Sequence, residues 1–187
     1  YAGTLKHFDL SVPTPEKSAL AVLGLTDPRT SYMLSKIFGE ALCQQAGIPF
    51  TIFRPHNVYG PRMGMVHVIP EQLRKAWLAN SGDHLGVHSV NHRRSFCYID
   101  DAVEMLKRML ETDVCTGKTL NLGSQSPEVT IREVVEMCIE VTNKSIGIKE
   151  LPPTPGSPER RTPAMGLTKE LLGFESKVNL REGIEQT

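Results

Sequence analysis

The stretch TSYMLSKIFGEAL, residues 30–42, carries Tyr32 and Lys36 four positions apart inside a run with helical periodicity. On a helix, positions i and i+4 stand one above the other on the same face, so both side chains can reach one small volume. A phenol with an unperturbed pKa of about 10 is a poor base at neutral pH, but a neighbouring ammonium favours the phenolate, each tenfold gain in acidity corresponding to about 1.4 kcal/mol. Tyr32 supported by Lys36 is therefore a candidate general base, able to take a hydroxyl proton while a hydride leaves the same carbon. The bare spacing also arises in helices where a tyrosine merely lies beside a solvated lysine, so context has to decide between the two.

Other conspicuous residues have plainer expectations. Glu40 continues the Tyr32 and Lys36 row and is expected to form an i to i+4 ion pair. Tyr59, Gly60 and Pro61 are expected to shape a turn, and Asp100 or Asp101 to cap a helix. His67, His84, His88 and His92 show no metal-like spacing with carboxylates or cysteines, so they are expected at the surface and no metal site is assigned. Cys43, Cys97, Cys115 and Cys138 have no C-x-x-C spacing, which points to reduced, buried thiols.

The elements that must position these groups follow from periodicity. Met33, Leu34, Ile37, Phe38, Ala41 and Leu42 give the Tyr32 helix a wide apolar face, so it should pack on more than one side. Thr30 or Ser31 can cap its start, and Gly47 can end it in the left-handed conformation. The apolar run IPFTIF, 48–53, reads as a parallel strand covered on both faces. Next come a helix near 68–79, short strands on either side of VNHRRS, a helix from Asp100 or Asp101, and a strand at KTLNLG. Thr130 with Glu133 forms a capping box for a further helix, and SIGIKEL is a strand. The prolines of LPPTPGSPERRTP, 151–163, make that stretch a loop without helix or strand interior. Residues 1–29 read as an irregular surface segment. Helix followed by buried strand is α/β grammar.

The bulk numbers exclude several classes. The 187 residues are 40% hydrophobic, with 21 basic and 21 acidic side chains, so no net field attracts nucleic acid or an anionic membrane. No apolar run approaches the roughly 20 residues of a membrane span, and the start has no signal-peptide layout. A cytoplasmic location is expected. The opening at Tyr1 without an initiator Met suggests a piece of something longer.

Read in order, SYMLSKIFGEAL, FRPHNVYGPRMG, RRSFCYIDDAVE and LNLGS resemble the extended short-chain dehydrogenase/reductase family, the NAD-dependent sugar-nucleotide epimerases, dehydratases and decarboxylases. The family's patterns appear as Tyr32 with Lys36, Arg54 to Pro61, Arg94 to Asp101, and LLGF at 171–174. The resemblance implies the C-terminal part of a doubly wound, Rossmann-like parallel sheet plus a smaller α/β substrate-binding lobe. Residues 1–62 would belong to the NAD-binding part and 63–187 mainly to the lobe, with 93–125 partly returning to the sheet. It makes Tyr32 the catalytic base and Lys36 its partner, both also touching the cofactor, NAD or alternatively NADP. Pro55 and His56 would touch the cofactor, His56 sitting where the family's backbone meets the nicotinamide carboxamide; Asn57 would touch the substrate's diphosphate and Arg94 would neutralise it, since an Arg fork can grip two phosphate oxygens. Arg161 is a second clamp candidate, balanced against an exposed loop arginine. The implied partners are a nucleotide-sugar substrate and a second copy docked through the Tyr32 helix.

The chain departs from the pattern at its start. The Gly-x-x-Gly-x-x-Gly fingerprint and the acidic ribose residue are absent, and Tyr1 falls just after the position of the family's catalytic Ser or Thr. The expectation is an epimerase or dehydratase acting by transient hydride transfer, inactive as this chain alone. A sheet edge and the apolar face of the Tyr32 helix would then be uncovered. Rival readings are a non-catalytic binding member of the same fold and a reductase of a non-nucleotide ketone, the latter needing no phosphate clamp at Arg94.

Overall fold

The computed structural model describes residues 11–20, 22 and 24–187; the expectation attached to Tyr1 lies outside them. The elements are α1 (Thr30–Gln45), β1 (Thr51–Pro55), β2 (Val58–Tyr59), α2 (Val68–Leu78), β3 (His84–His88), β4 (Arg93–Arg94), β5 (Cys97–Tyr98) and α3 (Ile99–Leu110). They continue as β6 (Lys118–Leu122), β7 (Val129–Thr130), α4 (Ile131–Val141), β8 (Gly147–Leu151), β9 (Arg160–Arg161), α5 (Gly166–Leu172) and α6 (Leu180–Glu185). The fold is α/β. Parallel pairs join β1 to β6, β2 to β5 and β3 to β8, while β4 runs parallel to β9 and antiparallel to β7. Each parallel pair needs a long crossover, which the intervening helices supply.

Most elements expected from the residue pattern form where that pattern puts them. The capping box is present: the Thr130 hydroxyl accepts from the Glu133 N–H, and the Glu133 carboxylate accepts from the Thr130 N–H. Val134 and Cys138 of α4 enter one apolar cluster with Tyr59, Ile69 and Ile184, and Val135 and Ile139 enter another with Leu85 and Val87. This helix therefore joins two parts of the core. A third cluster gathers Met105, Leu120, Leu122, Leu172 and Phe174 against β6.

Several expectations are corrected by tertiary packing. The N-cap of α1 is Arg29, without a side-chain cap, because the Thr30 hydroxyl donates to the Gly24 carbonyl at 2.9 Å; Gly47 does adopt the left-handed conformation. Among the described residues α1 is not packed on several sides, and its apolar face is uncovered as the resemblance implied: Leu34, Phe38 and Leu42 are exposed, as is Phe53 on β1, so that strand is covered on one face only. Neither Asp100 nor Asp101 caps α3. The buried Asp101 carboxylate instead accepts the backbone N–H groups of Lys177 and Val178, both at 2.9 Å, pinning the C-terminal segment to α3. Tyr59 is core rather than turn, its hydroxyl donating to the Leu180 carbonyl. The proline loop holds a two-residue strand, β9, at the proline-free dipeptide Arg160–Arg161. Cys43 is exposed while the other three thiols are buried, and His92 is buried rather than at the surface.

The Leu120 side chain is fully enclosed at 0% exposure in the strand that positions the site. Leu120→Ala is expected to cost about 2–5 kcal/mol, through lost transfer free energy and a residual cavity, read as a lower urea midpoint in equilibrium unfolding.

Candidate active site

Helix α1 carries Tyr32 and Lys36 on its exposed side, and the two side chains converge. The Lys36 ammonium lies 5.3 Å from the centroid of the Tyr32 ring, over its face, a geometry in which the cation meets the ring's negative quadrupole. The phenol is 63% exposed and borders a cavity of about 430 Å³. Besides Tyr32 and Lys36, that cavity is lined by Arg54, Pro55, His56, Asn121 and Arg161. Separate regions of the sequence thus meet at one place.

The end of β1 delivers Pro55 and His56. The His56 N–H donates to the Leu122 carbonyl at 2.8 Å, extending the β1–β6 ladder by one residue and sinking the imidazole between the strands. Gly123 permits this close approach, since a Cβ there would lie 3.1 Å from that of His56. The ring sits 3.1 Å from the Asn121 side chain through Nε2. Burial, aided by the neighbouring Arg161 guanidinium, lowers the His56 pKa to about 4, so the ring is neutral at pH 7.

Arg161 comes from β9, inside the proline segment. Burial holds its pKa below the ordinary arginine value, and its Nε has no hydrogen-bond partner. Among the described lining residues the cavity has no carboxylate, so Lys36 and Arg161 leave it electropositive.

Glu40 overturns its expected pairing. Instead of joining Lys36 on the helix surface, it turns inward and takes the Arg54 guanidinium in a two-point grip, Nε to Oε1 at 2.8 Å and Nη2 to Oε2 at 2.6 Å. The Arg54 and Glu40 side chains are only 12% and 8% exposed, and Arg54 Nη1 also donates to the Glu16 carbonyl at 2.7 Å. A planar arginine fork satisfies a buried carboxylate in a way that a solvated lysine on the outer face cannot.

Asn57 and Arg94 line a second cleft of about 280 Å³, together with Gln72, Lys75, Gly86 and His88. The expected substrate residues are therefore divided, with Arg161 in the Tyr32 cavity and the other two outside it. The two linings are linked through the chain and the sheet: Asn57 follows His56, and Arg94 is in register with Arg161 across β4 and β9. Asn57 adopts a left-handed backbone, φ 45°, and donates its side-chain N–H to the Ser95 carbonyl. Arg94 grips its own wall: Nη2 donates to the Ser157 hydroxyl and the Pro158 carbonyl, and Nη1 to the carbonyls of Arg93 and Glu159. Burial and the nearby Arg161 pull its pKa down to about 10.

Sequence reasoning passed over Asn121, Arg54 and the inward role of Glu40. For Asn121 a signal existed: a polar amide inside the apolar strand KTLNL needs partners if the strand is buried. Among the described residues no group of three His, Cys, Asp or Glu side chains could hold a metal ion, and no helix is long and apolar enough to cross a membrane.

A family model described as the NAD dependent epimerase/dehydratase family matches residues 1–123. UDP-glucuronic acid decarboxylase 5 of Arabidopsis thaliana is 39% identical over 167 residues, covering 83% of this chain and 46% of that protein. UDP-N-acetyl-alpha-D-glucosaminuronate decarboxylase of Bacillus cytotoxicus is 30% identical over 201 residues, covering 100% of this chain and 61% of the relative. Among solved structures, UDP-glucuronic acid 4-epimerase from Bacillus cereus, in complex with UDP-glucuronic acid and NAD, aligns with a TM-score of 0.75 at 26% identity, over 94% of this chain and 57% of that one. The chain belongs to the NAD-dependent epimerase/dehydratase family. It spans roughly half the length of the relatives it matches.

Two outcomes follow from this geometry. Glu40→Ala leaves a buried, uncompensated guanidinium and is expected to cost about 3–5 kcal/mol in denaturant unfolding, whereas an exposed helix pair would cost about 0.3–0.5 kcal/mol. The His56 pKa is lowered on folding, so the unfolded chain binds the proton more readily. Its contribution is present above about pH 6.5 and is lost as pH falls towards about 4, at up to about 1.4 kcal/mol for each tenfold rise in proton concentration. Urea unfolding of the wild type and His56→Leu across that window should show a steeper acid loss in the wild type; parallel curves would contradict it.

Proposed function

We propose that this chain forms the base-bearing and substrate-facing part of an NAD-dependent enzyme that acts on a UDP-linked uronic sugar by transient oxidation of a sugar carbon. The observation that carries the reading is the convergence of Tyr32, Lys36, His56 and Arg161 on one electropositive cavity. Its volume of about 430 Å³ lies within the range of small-molecule sites, and two polar atoms of its lining residues, His56 Nδ1 and Arg161 Nε, are buried without partners. That combination suits a ligand carrying both donors and negative charge.

In this reading Tyr32, Lys36, Pro55 and His56 hold the nicotinamide end of the cofactor. NAD, when bound, supplies the acceptor for a hydride from the sugar carbon. The Tyr32 oxygen takes the hydroxyl proton from that same carbon, and the Lys36 ammonium stabilises the phenolate that does so. Arg161 faces the uronate carboxylate, where an arginine fork can bond both oxygens. Asn57 and Arg94 meet the diphosphate in the second cleft, Arg94 exchanging some of its loop carbonyls for phosphate oxygens. Support for a uronic substrate comes from the relatives, which are named as acting on UDP-glucuronic acid or a UDP-linked glucosaminuronate.

The test is made in the enzyme that contains this segment together with a glycine-rich NAD loop. Tyr32→Phe should lower kcat about 10²–10⁴-fold while leaving the affinity for UDP-glucuronic acid, measured by calorimetry, within about threefold. An undiminished kcat removes Tyr32 from the chemistry.

A further inference from the structure

Asn121 is 2% exposed and makes a set of bonds that only one orientation satisfies. Its side-chain nitrogen lies 3.0 Å from the Thr14 carbonyl oxygen and 3.0 Å from that of Ala164. Carbonyl oxygens only accept, so the amide NH₂ must face them and Oδ1 must face His56. Oδ1 in turn only accepts, so the imidazole nitrogen 3.1 Å away, Nε2, must carry a proton. His56 is itself only 7% exposed and lies beside two guanidiniums, Arg161 and Arg54, which disfavour a second proton. Nδ1 is left as a lone pair. That atom is buried and has no donor among the described residues, and His56 is one of the residues lining the cavity that holds Tyr32.

The Asn121 backbone is equally constrained. Its N–H donates to the Glu16 carboxylate at 3.0 Å and its carbonyl accepts from the fully buried Thr168 hydroxyl at 2.6 Å. An asparagine tied through both its side chain and its backbone cannot rotate to offer its other end, so the histidine tautomer is set by the scaffold rather than by the ligand. A buried lone pair left without a partner calls for a hydrogen-bond donor. An amide N–H meets that requirement.

We infer that Asn121 is a positioning residue that locks His56 as its Nε2–H tautomer, and that His56 Nδ1 thereby accepts a hydrogen bond from the carboxamide N–H of a nicotinamide in the Tyr32 cavity. The second half rests on the cofactor reading above; the first stands on the hydrogen-bond geometry alone.

Long-range proton–nitrogen NMR of the chain labelled with ¹⁵N-histidine tests both halves. At pH 7 the free wild type should show His56 wholly as the Nε2–H form, and Asn121→Ala should convert it to a mixture. An Nδ1–H ring in the wild type overturns the proposal, and this measurement stands even where the variant folds poorly. Nicotinamide mononucleotide should then move the Nδ1 resonance, whereas nicotinic acid mononucleotide, which has a carboxylate in place of the N–H donor, should leave it in place and bind about tenfold more weakly. If both mononucleotides shift the Tyr32 ring signals and neither moves Nδ1, the acceptor role is wrong while the cofactor reading survives. If neither shifts any cavity signal, nicotinamide does not enter this cavity in the chain and the acceptor role is overturned, while the cofactor reading is judged by the Tyr32→Phe kinetics. A shift of Nδ1 with UDP-glucuronic acid but not with nicotinamide mononucleotide assigns the donor to a sugar hydroxyl and overturns the carboxamide assignment.

Discussion

The site depends on one buried ion pair. Arg54 at the end of β1 and Glu40 in the second half of α1 clasp each other through two hydrogen bonds, and Arg54 reaches on to the Glu16 carbonyl of the irregular segment. Removing two charges from water is costly, and only near-ideal geometry recovers the cost. The two-point fork meets that condition. It holds the helix that bears Tyr32 and Lys36 at a set distance from the strand that bears His56, which apolar contact alone would leave free to slide. The outward row of α1 is thereby released to face the cavity, while its inward row anchors the helix.

A second constraint acts on the other wall. β1 and β6 pair in parallel with Arg54 opposite Asn121, so the ion pair and the amide that orients His56 are neighbours across one ladder. Asn121 then reaches the Thr14 and Ala164 carbonyls, fastening the 14–16 segment and the stretch after β9 to the same strand. Arg161 stands just before that stretch and lies in register with Arg94, which lines the second cleft. Charge and hydrogen-bonding capacity are concentrated here while the clusters beneath are apolar. Polar groups in such a setting are rigid because each alternative position leaves a partner unsatisfied.

How far the sequence could be read shows clearly in particular residues. Tyr32 and Lys36 were legible because helical spacing is local, and the capping box of Thr130 and Glu133 because both partners lie within one turn. Asp101 and Glu40 were misjudged for the opposite reason. Their nearest candidates in sequence were a helix end and Lys36, but their actual partners, the backbone at 177–178 and Arg54, arrive by chain folding. Tyr59 likewise looked like part of a turn and is instead core, since the residues that enclose it include Leu180 and Ile184 from far along the chain.

The sequence by itself determined the alternation of helix and strand, the family resemblance, and the residue types able to move a proton or grip an anion. These rest on local spacing and on chemistry intrinsic to each side chain. Only the tertiary structure decided that Arg161 shares a cavity with Tyr32 while Asn57 and Arg94 line a second one. It also decided that a strand asparagine sets the state of a histidine 65 positions away. The reason is physical: hydrogen-bond partners for buried polar groups are chosen by which strands pair and in what register, and parallel pairing joins residues that the linear order keeps apart.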